Sequence, residues 1–391
     1  MCNPAPDLIS KIHTNAARDS IILSSLPFLD EALSSISNLS ATPLPNNLAQ
    51  DFENATRIDT HTHPIPAWFR ALEPNAAGRA TPEWSVAAHL EFMATQGIKR
   101  SVLSVSTPQA NAFLDVTGKG GRKEKTIALA RILNEFVGEV CRLWPERFSW
   151  LAILPLPYVD EAVVEARYAL EELGAVGVAV LTNHEAVYPG DEAIDGLWKY
   201  LQSRAEKSTE GRGVVFIHPT EPVISLDDGR FVNSRPSPLR SGLGEFYFET
   251  ARAISSLIAS SPTTTIPTFL KFPSLHFRVS HGAGAFPDIS ERFLLGFPAV
   301  AGRAREALRT RFWYDSAGPV FPNQIKGLVE GMGVGIGQMV FGTDYPYGIG
   351  FWDVNANIAG LADAGFLTDE EKDMVFYGNA ERLWQGKIGG V

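Results

Sequence analysis

The chemistry of this sequence starts at two histidines one residue apart, His61 and His63 in Ile58-Asp59-Thr60-His61-Thr62-His63-Pro64. In an extended strand side chains alternate between faces, so both imidazoles project to the same side. Two neutral imidazole nitrogens aimed at one point suit zinc or a similar divalent ion. Alone, the pair fits two idle loop histidines equally well. Three more apolar runs end in metal-binding residue types: Phe216-Ile217-His218-Pro219, Val279-Ser280-His281-Gly282 and Phe341-Gly342-Thr343-Asp344-Tyr345-Pro346. A core histidine usually sits in mid-strand or on a helix face, whereas these stand at run ends before Pro or Gly. Three histidines and an aspartate so placed offer nitrogen and oxygen donors to one metal, with room for water or substrate.

Such residues need elements that deliver them to one place. Eight short apolar runs follow one another along the chain: Arg57–His63, Ser101–Val105, Phe148–Leu154, Val176–Leu181, Val214–His218, Leu275–His281, Arg311–Asp315 and Met339–Asp344. Helical patterns lie between them, at Glu124–Trp144, Glu161–Leu173, Glu192–Ala205, Phe246–Ser260 and Phe321–Met332. The alternation predicts βαβ units and a parallel sheet. Eight is the number that closes a barrel, and barrel active sites are assembled at strand C-termini. An open doubly wound sheet shares the alternation, but no glycine-rich dinucleotide fingerprint follows the first strand. The expected fold is therefore α/β, a (β/α)8 TIM-type barrel over residues 56–391, preceded by a helical extension over residues 1–55 that packs outside the barrel or between subunits.

Two loops invite separate readings. Gly118–Lys123 resembles a phosphate loop but lacks the required spacing, and reads as a basic loop on the active-site face. Thr220–Gly244, rich in Pro, Gly, Ser and Asp, reads as a lid directly after His218.

The 391 residues are 45% hydrophobic with a net charge of -10, and the mean hydropathy is -0.02. This is an ordinary soluble composition. The charge argues against a nucleic-acid surface and against an anionic membrane. It leaves room for an anionic substrate, because a local metal outweighs a distant negative surface. Two cysteines, Cys2 and Cys141, make no disulfide framework, and the first 20 residues carry Asp7, Lys11, Arg18 and Asp19 where a signal peptide would be apolar. A cytoplasmic setting is expected.

From about residue 57 to 385 the sequence resembles the amidohydrolase-related decarboxylases typified by aminocarboxymuconate semialdehyde decarboxylase. The marks are Ile58-Asp59-Thr60-His61-Thr62-His63, Phe216-Ile217-His218-Pro219, His281-Gly282-Ala283-Gly284-Ala285-Phe286-Pro287 and Gly342-Thr343-Asp344-Tyr345-Pro346. The resemblance implies one divalent ion per chain on His61, His63, His218 and Asp344, with zinc the first choice and manganese the second. It makes His281 a catalytic histidine that does not ligate, and leaves open whether His281 or Asp344 delivers a proton. Trp84-Ser85, Met93-Ala94-Thr95-Gln96-Gly97-Ile98, Leu103-Ser104-Val105-Ser106-Thr107-Pro108, Leu154-Pro155-Leu156-Pro157 and Phe246–Ala253 look most like the branch of fungal 6-methylsalicylate decarboxylases. That branch implies non-oxidative decarboxylation of an aromatic ortho-hydroxy acid, 6-methylsalicylate to 3-methylphenol, by a homodimer acting on a small aromatic acid. The competing readings are a metal-dependent hydrolase of a lactone or amide, and a barrel without catalysis that serves as a scaffold.

The remaining candidates are less specific. Trp68, Trp84 and Phe286, with Phe69 and Trp352, could wall an aromatic substrate pocket or belong to the core. Arg292 is either a helix-surface residue or, as the resemblance implies, an arginine that reaches a carboxylate in the neighbouring subunit. Asp59 and Asp315 stand at strand ends, where carboxylates orient ligand imidazoles or form turns. His89 reads as a helix surface or capping residue, His13 and His184 as solvated, and His276 as the start of a strand.

Overall fold

All eight apolar runs contain strand. In this computed structural model the described residues are 7–43, 52–73, 76–116, 121–234, 238–259, 266–349 and 354–388. The strands are β1 (Arg57–Thr62), β2 (Ile98–Leu103), β3 (Phe148–Trp150), β4 (Ala152–Ile153), β5 (Val178–Leu181), β6 (Gly213–His218), β7 (Val223–Ser225), β8 (Phe231–Asn233), β9 (Leu275–Val279), β10 (Phe312–Asp315) and β11 (Met339–Val340). β3 and β4 are two pieces of one run interrupted at Leu151, while β7 and β8 form a separate antiparallel hairpin.

The other strands form two parallel sheets, β1-β2-β3 and β11-β10-β9-β6-β5-β4, and hydrogen bonds at both seams join them into a ring. At one seam the Leu151 amide donates to the Leu103 carbonyl and the Ala152 amide to the Gly177 carbonyl, each at 2.9 Å. At the other, the Thr60 amide donates to Phe341 (2.9 Å), the Asp344 amide to His61 (2.8 Å) and the His63 amide to Tyr345 (2.7 Å). This seam is also parallel, through a bridge between Thr62 and Tyr345. The result is a (β/α)8 barrel.

Strands buried on both faces read as unbroken apolar runs because helices cover the outside of the sheet and side chains fill the inside. Val178, Ala179, Val180 and Leu181 are all buried. The covering helix Asp195–Lys207 turns Leu197, Trp198, Leu201 and Ala205 inward and Lys199, Glu206 and Lys207 outward, the one-sided stripe expected of a surface helix.

The helix Arg122–Leu143 breaks that pattern, burying Arg131, Asn134, Glu135 and Glu139 together with its apolar residues. The N-terminal extension is the reason. Its helices Leu8–Arg18 and Leu29–Ser37 contribute Ile12, Ala16, Leu33 and Ile36 to the same core as the barrel. Buried Arg131 is held between Asp19 of the extension (2.7 Å) and Glu165 of the next helix (2.9 Å).

Several expectations need correction or fall outside the described residues. Thr220–Gly244 is no featureless loop, since it contains the β7–β8 hairpin, tied down where the Phe231 amide donates to the Leu114 carbonyl at 3.1 Å. Residues 118–120 of the glycine-rich stretch Gly118–Lys123 and Trp352 lie outside the described residues. Arg122 opens a helix, with its guanidinium 3.1 Å from Glu185. Among the described residues no helix is long and apolar enough to cross a membrane.

Candidate metal centre

β1 carries His61 and leads directly into His63, β6 ends on His218, β9 leads into His281, β10 ends on Asp315, and Asp344 follows β11. All six side chains therefore meet at one end of the barrel, the C-terminal end of its strands. Gly342 permits the closest approach, since a Cβ there would lie 2.6 Å from the Cβ of His61.

His61, His63, His218 and Asp344 each offer one donor atom, and the four atoms lie within 4.8 Å of one another. Each imidazole is oriented by its other nitrogen. His61 Nδ1 lies 2.8 Å from Asp315 Oδ2, His63 Nδ1 2.8 Å from the Ser104 carbonyl, and His218 Nδ1 2.7 Å from the Pro219 carbonyl. Those oxygens only accept, so each Nδ1 carries the proton and each Nε2 presents a lone pair. His61 Nε2 and His63 Nε2 face each other at 3.1 Å, and His63 Nε2 stands 3.1 Å from Asp344 Oδ1. Acceptors facing acceptors, with no proton between them, repel unless a cation sits among them. The donor set thus fits a single divalent ion.

Electrostatics agree. Burial pulls His61 down to about 4, against the opposing pull of Asp315. Burial together with His63 and His61 holds His218 well below its usual range. Burial alone would raise Asp344, but the neighbouring imidazoles of His281, His63 and His61 outweigh it and hold the carboxyl well below its usual range. His61 and His218 are thus neutral imidazoles and Asp344 a carboxylate, the forms a metal needs.

His281 stands beside this set without joining it: its Nε2 is 3.8 Å from Asp344 Oδ2, and its Nδ1 is buried with no partner among the described residues. Asp315 connects the two functions. One oxygen takes His61 Nδ1 and the Arg278 guanidinium (3.0 Å), and the other takes the His281 amide (2.8 Å). Both His281 (φ 52) and Asp344 (φ 59) occupy the left-handed region, a strained backbone that persists where surrounding contacts enforce it.

A small cavity of about 30 Å³ opens over the site, lined among others by Arg79, Phe246, Tyr247, His281 and Tyr347. Tyr247 stacks on His281 with centroids 5.7 Å apart, and Arg79 lies 5.2 Å over the Tyr347 ring. None of the four sequence candidates for substrate contact lines this cavity. Trp68 is buried between Phe28 and Phe69, Trp84 bonds to His89, Phe286 packs on Phe293, and Arg292 is exposed on its helix. Conversely, Arg79, Tyr247 and Tyr347 are functional candidates the sequence did not single out. Asp59 bonds to the amides of His61 and Thr343 and to the Thr343 hydroxyl rather than to an imidazole. His89 and His184, expected at the surface, are buried.

The chain is 28% identical over 343 residues to a 6-methylsalicylic acid decarboxylase of Penicillium expansum, covering 84% of this chain and 96% of that one. A solved amidohydrolase II structure superposes with a TM-score of 0.70 at 26% identity, over 84% of this chain and all of the other. A dihydroxybenzoic acid decarboxylase of a Polaromonas species, crystallised with manganese and 2-nitroresorcinol, shares the fold at a TM-score of 0.63 and 18% identity, over 84% of this chain and 97% of that one. The model of the family described as amidohydrolase matches residues 58–386. A match that runs from the first strand to the last helix takes in the whole barrel, and the chain belongs to the amidohydrolase family.

Proposed function

We propose that this protein is a metal-dependent carboxy-lyase that removes the carboxylate of an aromatic ortho-hydroxy acid, with 6-methylsalicylate the first choice and 3-methylphenol its product. The observation that carries this reading is a four-donor cation site, an arginine and an unengaged histidine around one small cavity. The Penicillium relative supports the choice of substrate.

In the reaction the bond between ring carbon and carboxylate breaks, its electron pair stays on the ring carbon, and a proton takes the vacated place. Nothing is oxidised. A divalent ion, zinc before manganese, supplies a Lewis-acidic centre for the carboxylate and its ortho oxygen. Arg79 supplies positive charge for the incoming anion. Phe246, Tyr247 and Tyr347 flank the ring and exclude water. Asp344 Oδ2 and His281 Nε2, 3.8 Å apart, hold and move the proton for the ring carbon. In a cytoplasmic homodimer, Arg292, which is exposed on its helix, would reach toward the other subunit.

Incubation with 6-methylsalicylate, salicylate and 2-methylbenzoate, followed by chromatography of the products, tests the reading. 3-Methylphenol and carbon dioxide are expected from the first acid. Salicylate should react more slowly, having lost one apolar contact worth ~1–3 kcal/mol, and 2-methylbenzoate should be inert. Turnover of a lactone with no carbon dioxide from any acid would make the enzyme a hydrolase.

A further inference from the structure

His89 is fully buried, away from the cation site. It occupies one position of the inward stripe Val86, His89, Leu90 and Met93 of the helix Val86–Thr95. A histidine there needs partners for both nitrogens, and their order is dictated by chemistry. The Trp84 indole can only donate, and it does so to His89 Nδ1 at 3.1 Å. His89 is therefore the neutral tautomer protonated on Nε2, and Nε2 donates to Thr62 Oγ1 at 3.2 Å. With that lone pair engaged, the Thr62 hydroxyl donates onward to the Tyr345 carbonyl at 3.1 Å.

The chain of bonds ends where the site is most demanding. Thr62 lies between His61 and His63 and faces away from them; Tyr345 follows Asp344. The Tyr345 carbonyl also accepts the His63 amide at 2.7 Å, and the Asp344 amide donates to the His61 carbonyl at 2.8 Å. The His89 ring packs 4.6 Å from the Tyr345 ring, which stacks on Phe92 at 4.2 Å. Asp344 must be held at φ 59 to aim its carboxylate at the imidazoles, and an aspartate leaves that region readily unless its neighbours are fixed.

We propose that His89 is a positioning residue for the metal centre: through Thr62 it fastens the Tyr345 carbonyl to β1 and so holds Asp344 in register with His61 and His63. The inference rests on the metal reading above.

The test titrates the full-length protein with zinc ions against a chromophoric chelator, and follows amide hydrogen exchange at His63 and Asp344 in the metal-free protein. His89→Phe keeps a ring and removes both nitrogens. Thr62→Val keeps the shape and removes the hydroxyl. Both should weaken zinc binding ~10–100-fold, the scale of lost outer partners of metal ligands, and speed exchange at the two amides. His89→Gln, which can accept from Trp84 and donate to Thr62, should restore most of the affinity. Zinc affinity and exchange both unchanged in Thr62→Val would overturn the proposal, as would a lowered melting temperature without either change. If His89→Phe fails to fold, Thr62→Val carries the test. A wild-type chain that binds no zinc would overturn the metal reading instead, and exchange in the metal-free protein would still decide whether His89 holds Asp344 in register.

Discussion

Among the described residues, a buried arginine–carboxylate cluster in the helical wall and another inside the barrel are built to opposite ends. In the wall, Arg131 joins Asp19 and Glu165 and lies 3.9 Å over the Tyr168 ring. Asn134 completes Glu165 at 2.7 Å, and the Tyr168 hydroxyl donates to Glu135 at 2.6 Å. Most donors there meet acceptors, although Arg131 Nη1 finds none among the described residues, and the cluster fastens the N-terminal extension to the barrel. Inside the barrel, Arg278 and Asp315 hold one face of His61, while its other nitrogen points at His63 and Asp344 across a gap no proton fills. Charged residues deep in a protein mark a site when they leave acceptors converging, and mark architecture when they close on themselves.

Removing a converging donor should have the largest effect. His61→Ala, His63→Ala and Asp344→Ala are each expected to lose the ion and with it turnover, read by elemental analysis and product formation, whereas Arg131→Met in the wall should keep both in whatever protein folds. His281→Asn should retain the ion yet turn over ~10²-fold more slowly. Loss of the ion from that variant, with the alanine variants unaffected, would reverse the assigned roles.

Next come the paired substitutions Asp315→Asn and Glu165→Gln. Asp315→Asn takes the paired carboxylate from buried Arg278, at a cost of ~3–5 kcal/mol when such a pair is broken, and Glu165→Gln takes one of two from Arg131, which keeps Asp19. Only Asp315→Asn should also lower metal affinity, ~10–100-fold, because only it orients an imidazole. Equal affinities in the two variants would erase the distinction between the clusters.

The smallest effect is in pH dependence, where the two clusters have opposite signs. Burial pushes Glu135 in the wall up to about 7 from 4.5, against the Tyr168 hydrogen bond. The folded chain thus prefers the protonated carboxyl, and this contribution is full below pH 4.5 and falls as pH rises to 7, by about 3 kcal/mol at ~1.4 kcal/mol per unit. Burial would raise Asp315 too, but His61 and Arg278 bring it to about 2 from 3.8. Its contribution is present above pH 3.8 and lost as pH falls to 2. Denaturant midpoints of Glu135→Gln should therefore fall less than wild type between pH 5 and 7. Parallel curves would remove Glu135 from the account.

Much of this was legible in the sequence. The eight strands are apolar runs because both faces are covered, and the four ligands stand where those runs stop. Helix boundaries moved by a few residues, as in Glu192–Ala205 against the observed Asp195–Lys207. Arg79 lies in a stretch without periodicity, so nothing in its spacing announced that it lines the cavity. Trp68 and Trp84 looked like pocket walls because an aromatic after a strand end carries no label for the side it faces. His89 was misread although a signal existed, since it holds an inward position between Val86, Leu90 and Met93. Glu135 and Arg131 had none, because their burial depends on an extension more than a hundred residues away.

The seam between β11 and β1 has a further consequence. β11 is only two residues long, so the ring is closed largely by the segment that bears the ligands. His63 and Asp344 are 281 residues apart. An ion held between them ties nearly the full length of the barrel into a loop, like a reversible cross-link whose entropic effect on the unfolded chain grows with the logarithm of its span. Metal loading then doubles as the clasp of the fold, and a chelator should lower the melting temperature as well as the activity.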